Sequence, residues 1–518
     1  MEAISKSKTG ISGLDEITMG GLPEGRPTLV CGGPGCGKTL FASQFVVKGA
    51  TLYKEPGVIV TFEEKAGELT QNLASLGFDL GKLQAQKKLK IDYVHIDRHE
   101  IEETGAYDLE GLFIRLKHAI ESIGAKRVML DTIENLFAGL TNEAIIRSEL
   151  RRLFYWLKEQ KVTAVITAEK GEGTLTRHGL EEYVSDCVIL LDHRVIDQVS
   201  TRRLRIIKYR GSQHGTNEYP FLIDQDGISV MPVTSVSLDK KVSSERILTG
   251  IPSLDEMFEG KGIYRGTSIL VSGTAGTGKT SIAAYFADAC CRRKERCLYF
   301  SFEESPQQLL RNMRSIGLNL DAHVKKDLLR FHSSRPAIFG LEMHLATVYK
   351  LVKEFKPSTV IIDPISNLST IGEFSEVNSM LMRLTDFLQA EGITVMLTAL
   401  TRGSGEQVDE GVSSLVDTWM LVRDIELNGE RNRALYVMKS RGMKHSNQVR
   451  EFIISSKGLR LVDIYIGSAG ILIGSAREAQ KLHKLTNGAL QAQLEREKIA
   501  HMRQTGGDFS TQSTKKRK

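Results

Sequence analysis

Apolar residues in this chain gather in short continuous runs at 57–62, 127–130, 162–167 and 188–191. Runs of this length and continuity suit strands buried on both faces, the condition of a parallel sheet. Between them, residues 108–123 and 143–160 carry apolar positions at helical spacing and predict amphipathic helices. Strands alternating with helices predict an α/β fold, a parallel sheet flanked by helices.

The pattern occurs twice. Thr9-Gly10-Ile11-Ser12-Gly13-Leu14-Asp15-Glu16 pairs with Thr249-Gly250-Ile251-Pro252-Ser253-Leu254-Asp255-Glu256. Further on, Thr61-Phe62-Glu63-Glu64 pairs with Ser301-Phe302-Glu303-Glu304, and Val128-Met129-Leu130-Asp131 with Val360-Ile361-Ile362-Asp363. Late in each half, Lys208-Tyr209-Arg210-Gly211 pairs with Lys439-Ser440-Arg441-Gly442, and His214 with His445. A repeat of this size predicts two tandem domains of one fold. Boundaries follow at 1–232 for the first domain, 233–246 for a linker and 247–462 for the second. Residues 463–505 form a C-terminal loop and amphipathic helix, and 506–518 a disordered tail. Leu482, Leu485, Ala489 and Ala492 fall at a/d-like spacing in that helix. Gly488 interrupts it at ~1 kcal/mol relative to Ala. Such a helix extends a stack, captures a partner or is simply solvated.

Composition narrows the class. Hydrophobic content of 41% and charged content of 25% are ordinary for a globular protein. No apolar run is long enough to cross a membrane, and the first nine residues lack the apolar core of a secretory signal. Six cysteines without C-x-x-C spacing point to reduced thiols and a cytoplasmic location. A net charge of +6 over 518 residues does not call for nucleic acid.

Both halves carry G-x-x-x-x-G-K-[ST] without a mismatch, at Gly32 to Thr39 and Gly273 to Thr280. Glycines let backbone N–H groups curl around phosphate oxygens, and the next helix adds its positive end. Gly35, Cys36, Gly37, Lys38, Thr39 and Leu40 are therefore nucleotide-binding candidates, with Gly276, Thr277, Gly278, Lys279, Thr280 and Ser281 in the second half. ATP with Mg²⁺ is the implied ligand. Thr39 and Thr280 are placed to hold Mg²⁺, together with the strand-terminal Asp131 and Asp363 and with Glu303. Glu63 and Glu303 follow a strand in each half and are the general-base candidates, with Glu64 and Glu304 in support. Lys208, Arg210, Lys439 and Arg441 close β-rich runs far from the phosphate loops. In a ring they could reach a neighbour's γ-phosphate as trans-acting fingers.

Together these residues resemble the KaiC family, the double-lobed RecA-like ATPases and autokinases of circadian clocks and related bacterial systems. The resemblance runs in order through both lobes. It implies two tandem RecA-like P-loop NTPase domains in a hexameric double ring with ATP at every interface. It further implies slow hydrolysis in the first lobe and autophosphorylation in the second, on a pair that falls here on Ser413 and Ser414. The first lobe has Glu182-Tyr183 at that place. Ser75, Ser212, His214 and Asp224 match further nucleotide positions of the family. Ile316 stands where the clock proteins stack a tryptophan on adenine, so it offers packing without a π face. A serine/threonine autokinase with ATPase activity is the implied enzyme. A KaiB-like protein is the implied partner, while the divergent tail leaves a KaiA-like one open. Two rivals remain: a RecA/DnaB-like nucleic-acid motor, which would need a basic, aromatic-lined channel, and a ring scaffold that binds ATP without phosphorylation.

Overall fold

A computed structural model describes residues 4–95, 109–137, 142–171, 173–176, 179, 184–196, 199–232, 242–338, 340–401, 410–427, 429–467 and 470–505. Two compact units are present. One gathers Met1–Lys240, Ser334–Lys356 and Asn367–Ala390; the other gathers Lys241–Ser333, Pro357–Ser366 and Glu391–Lys518.

The first unit is built on nine strands: β1 (Pro27–Gly32), β2 (Gly57–Thr61), β3 (Leu89–Tyr93), β4 (Arg127–Asp131), β5 (Thr163–Glu169), β6 (Cys187–Ile196), β7 (Val199–Tyr209), β8 (Glu218–Asp224) and β9 (Gly227–Val230). Their order is β9-β8-β7-β6-β1-β5-β4-β2-β3. From β6 to β3 the pairing is parallel, and from β6 to β9 it is antiparallel. The sheet is thus mixed. Parallel pairing accounts for the apolar runs, which all fall on β2, β4, β5 and β6. The β-rich run that Lys208 closes is the end of β7, but its antiparallel pairing was not legible, because Arg203 and Arg205 break the strand's apolar character.

Alternate residues of one strand feed two different cores. Val30, Ile59, Met129 and Val165 join one apolar cluster, while Leu29, Val58, Val128 and Ala164 join another. The period of two is kept, but both faces are covered, so the strand reads as continuously apolar. Helix α1 (Lys38–Lys48) lends Phe41 and Phe45 to the first cluster. Helices α2 (Ala66–Ala74), α3 (Glu110–Ile123) and α4 (Glu143–Glu159) complete the flanks, the last two close to expectation.

The second sheet repeats the plan. Its strands are β10 (Ser268–Gly273), β11 (Cys297–Ser301), β12 (Leu329–Ser333), β13 (Thr359–Asp363), β14 (Thr394–Leu400), β15 (Thr418–Leu427), β16 (Glu430–Ser440), β17 (Arg450–Ser455) and β18 (Gly458–Asp463). The order β18-β17-β16-β15-β10-β14-β13-β11-β12 is the first sheet's order advanced by nine. The phosphate loop leads into α5 (Lys279–Arg292), and α6 (Pro306–Ser315) follows β11. Later in the chain come α7 (Leu341–Phe355) and α8 (Phe374–Ala390), both in the first unit, then α9 (Glu410–Leu415) and α10 (Gly474–Thr505). Helix α10 runs on through Gly488. Its root is fixed by Arg477 to Glu451 at 2.8 Å, while Leu482 and Leu485 farther along are exposed.

The repeated Thr-Gly-Ile motif turns out to be structural. Asp15 Oδ1 accepts from Thr9 N at 2.9 Å and from Thr9 Oγ1 at 2.7 Å, and Asp255 Oδ1 accepts from Thr249 N at 2.8 Å.

Two phosphate loops and their carboxylates

Parallel strands bring their C-terminal ends to one edge, where α/β sheets bind ligands. In the first unit β1, β5, β4 and β2 are consecutive neighbours. That order gathers the phosphate loop, Thr167, Asp131 and the Phe-Glu-Glu segment. Backbone bonds lock two of these together: Phe62 N donates to Asp131 O at 2.8 Å, and Phe302 N to Asp363 O at 2.9 Å.

Each loop enters its helix through a glycine in the left-handed region, Gly37 at φ 103° and Gly278 at φ 97°. No side chain caps either helix. Their first N–H groups therefore stay available to an anion. By contrast, Ser305 and Gln308 close a capping box on α6. Lys38 Nζ donates to Gly32 O at 2.9 Å and Gly33 O at 3.0 Å; Lys279 Nζ donates to Gly273 O at 2.9 Å and Thr274 O at 2.7 Å. These carbonyls hold both lysines folded over their loops. Burial lowers the Lys279 pKa, with Asp363 the leading group opposing it. Cys36 and Thr277 are buried beneath the loops, and Thr277 Oγ1 donates to Thr274 O at 2.9 Å. Leu40 is buried, and Ser281 is half-buried on the first turn of α5. Gly35 and Gly276 are exposed at the loop crests.

Asp131 is buried, with Thr39 Oγ1 donating to its Oδ2 at 3.0 Å. Thr167 Oγ1 donates to Oδ1. Burial pushes this carboxyl's pKa up against those two hydrogen bonds, which pull it down; Glu63 and Glu64 add to the rise. In the second unit Thr398 Oγ1 donates to Asp363 Oδ1, and Tyr299 Oη donates to Oδ2 at 2.7 Å. The oxygen-only set of a threonine hydroxyl and a carboxylate beside a phosphate loop fits Mg²⁺, a hard cation that keeps waters and substrate phosphates.

Glu63 and Glu303 are exposed. Thr132 Oγ1 donates to Glu63 Oε2 at 3.2 Å. The following glutamates are held instead. Asn72 Nδ2 donates to Glu64 Oε2 at 3.2 Å, and Asn312 Nδ2 to Glu304 Oε2 at 3.3 Å. Sequence reasoning passed over Asn72, Asn312, Thr167, Thr398 and Tyr299. The first four recur at equivalent places of the repeat, a signal that closer alignment of the halves would have caught.

The late-strand residues form separate groups. Arg210 NH1 lies 3.6 Å from Asp186 Oδ1, which Lys158 also reaches through Oδ2 at 2.5 Å. Lys208 lies on β7 two residues before it. Ser212 Oγ accepts from Lys6 Nζ at 2.6 Å, and His214 stacks on Tyr209 with centroids 6.2 Å apart. Asp224 Oδ2 accepts from Lys350 Nζ at 2.7 Å. Ser75 Oγ donates to Asn72 O at 2.7 Å. Ile316 packs against the second core, as its apolar side chain requires.

In the second unit Lys439 and Arg441 meet the serine pair. Lys439 Nζ donates to Ser413 O at 2.8 Å, and Arg441 NH2 to Ser414 O at 2.8 Å. Ser413 is half-buried and Ser414 exposed at the end of α9. Positive groups at a helix C-terminus satisfy its orphan carbonyls and oppose its dipole. Glu182 and Tyr183 lie outside the described residues. No helix among the described residues is long and apolar enough to cross a membrane.

The profile of the ATPase family described as "ATPase: KaiC" matches residues 7–235 and again 247–465. The circadian clock protein KaiC2 of Synechocystis sp. is 54% identical over 520 aligned positions, spanning 100% of this chain and 89% of that protein. The circadian clock oscillator protein KaiC of Synechococcus elongatus is 37% identical, over 92% of each chain. KaiC3 of Synechocystis sp. is 36% identical, over 92% of this chain and 95% of its own length. The chain belongs to the KaiC family of ATPases.

Proposed function

We propose that this chain is an ATP-dependent serine autokinase, with autophosphatase activity, and a slow ATPase of a clock or signalling system. It works as a cytoplasmic homohexameric double ring. The domains divide at 1–232 and 247–462, the first hydrolytic and the second autophosphorylating. The observation that carries this reading is the meeting of Lys439 and Arg441 with the Ser413 and Ser414 carbonyls. Acceptor and finger belong to one block of the chain. Whatever brings the fingers to a neighbour's nucleotide brings the serines with them.

In each lobe the loop N–H groups and Lys38 or Lys279 hold the phosphates. Thr39 with Asp131, and Thr280 with Asp363 and Glu303, would hold Mg²⁺, which neutralises phosphate charge when bound. Glu63 orients water in the first lobe, its carboxylate steadied by Thr132. Glu303 accepts the hydroxyl proton of Ser413 or Ser414 from the adjacent subunit. Lys208 and Arg210, or Lys439 and Arg441, stabilise charge developing on the γ-phosphoryl oxygens. Ser75, Ser212, His214 and Asp224 complete the nucleotide contacts of the first lobe. A KaiB-like protein is the expected partner; nucleic acid and membrane are not.

Mixing two inactive variants tests the shared site. One carries Glu303→Gln with both serines intact; the other carries Ser413→Ala and Ser414→Ala with Glu303 intact. Phosphate should appear on the Glu303→Gln chain only after mixing and reassembly. A mixture as silent as its components would sink the trans-acting mechanism.

A further inference from the structure

We infer that Tyr299 is a positioning residue that sets how the second lobe takes up Mg²⁺, by holding the oxygen of Asp363 that Thr280 would otherwise engage. The inference rests on the reading of that lobe as a Mg²⁺–ATP site.

At one register position an apolar side chain of the first lobe is replaced by a phenol in the second. On β2, Ile59 lies beside Met129; on β11, Tyr299 lies beside Ile361. Isoleucine has no donor. In the first lobe Asp131 Oδ2 accepts from the phosphate-loop hydroxyl of Thr39 at 3.0 Å, and Oδ1 from Thr167. That bond turns the Thr39 proton toward the carboxylate and leaves the hydroxyl lone pairs for a cation. In the second lobe Oδ1 is again taken by the equivalent threonine, Thr398. Oδ2, however, accepts from the Tyr299 phenol at 2.7 Å.

Tyr299 is fully buried, and its ring packs on Phe331 with centroids 5.3 Å apart. The phenol cannot swing away to solvent and has this carboxylate as its acceptor. Thr280 stands at the place of Thr39 but makes no hydrogen bond to Asp363 among the described residues, so its hydroxyl is not pre-oriented. The second lobe's metal site is therefore less organised before nucleotide arrives. Thr280 and Asp363 would hold Mg²⁺ with the phenol still donating to Asp363 Oδ2.

Tyr299→Phe deletes one hydroxyl and keeps the ring; Tyr299→Ile copies the first lobe. Both are made in the full-length chain with Lys38→Met, which weakens nucleotide binding in the first lobe. Binding of a fluorescent ATP analogue is followed against Mg²⁺, and again in EDTA. Freeing Oδ2 for Thr280 is expected to lower the half-saturating Mg²⁺ about fivefold, the equivalent of one hydrogen bond. Affinity in EDTA should stay unchanged, which a merely structural role would not predict. An unchanged Mg²⁺ curve, a shift to higher Mg²⁺, or equal changes with and without metal would overturn the inference. Should the Lys38→Met chain with Tyr299 intact bind no analogue at all, the nucleotide-site reading itself falls, and the inference with it.

Discussion

Arg127→Met should destabilise the first lobe far more than any surface change of similar size. The Arg127 side chain is 1% exposed at the start of β4. Nε meets Glu55 Oε2 at 2.6 Å, NH1 meets Phe45 O at 2.7 Å and NH2 meets Lys8 O at 2.7 Å. The guanidinium also lies 4.3 Å from the Phe45 ring centroid. Glu55 is 35% exposed, so solvent screening limits that ion pair to ~1 kcal/mol or less. Each carbonyl bond to the charged donor contributes ~1.5 kcal/mol, and the ring contact ~1 kcal/mol. Desolvation opposes them; burial is the leading cause that lowers the Arg127 pKa. The net loss is about 2–4 kcal/mol, a melting shift of roughly 5–15 °C for a domain of this size. Phe45 belongs to α1, the helix that begins at the phosphate loop. First-lobe ATPase should therefore fail at a lower temperature while second-lobe phosphorylation persists. Arg127→Lys, with its charge but no planar fork, should fall between. Thermal unfolding monitored alongside ATPase reads both effects, and a loss under ~1 kcal/mol would refute the reasoning.

Other substitutions test other links. Glu63→Gln should abolish most basal hydrolysis and leave serine phosphorylation in place, whereas Glu303→Gln should do the reverse; phosphate release and phosphopeptide counts separate them. Gly278→Ala should eliminate second-lobe nucleotide binding, because the site has φ 97° and an added Cβ would lie 2.6 Å from Ile454 Cδ1. Equilibrium binding checks it, and near-normal affinity would contradict the loop geometry. Glu218 is bridged by Arg194 at 2.8 Å and Arg203 at 3.0 Å, and its pKa is lowered, chiefly by the Arg194 hydrogen bond. Its stabilisation is present above the unfolded glutamate value and fades as pH falls through the lower folded one. Glu218→Gln should therefore cost stability at neutral pH and nothing in strong acid. Equal losses at both pH values in chemical denaturation would contradict the linkage.

Much of the architecture was legible because burial leaves a strong trace. The runs on β2, β4, β5 and β6 are apolar because neighbours cover both faces of the sheet. Phosphate loops demand glycines and a lysine whatever surrounds them, and the duplication doubled each signal. The antiparallel extension was harder to read, since Arg203 and Arg205 interrupt β7. The residues that set the carboxylates in place were missed for another reason. Thr167, Thr398, Asn72 and Asn312 are ordinary polar residues whose roles arise only when adjacent strands bring them to one edge. Tyr299 reads as one more apolar position of β11 until its phenol is seen at Asp363. The pairing of Lys439 and Arg441 with the serine carbonyls is likewise tertiary: β16 and α9 are separate in sequence, and no spacing rule links them.

The central claim is that the second lobe transfers phosphate to its own ring while the first consumes ATP without an acceptor. Incubation of the full-length protein with ATP and Mg²⁺, followed by phosphopeptide mapping over time, addresses it directly. Phosphate is expected on Ser413 or Ser414 and none on the peptide containing Tyr183. Steady ATP consumption with neither serine modified would contradict it.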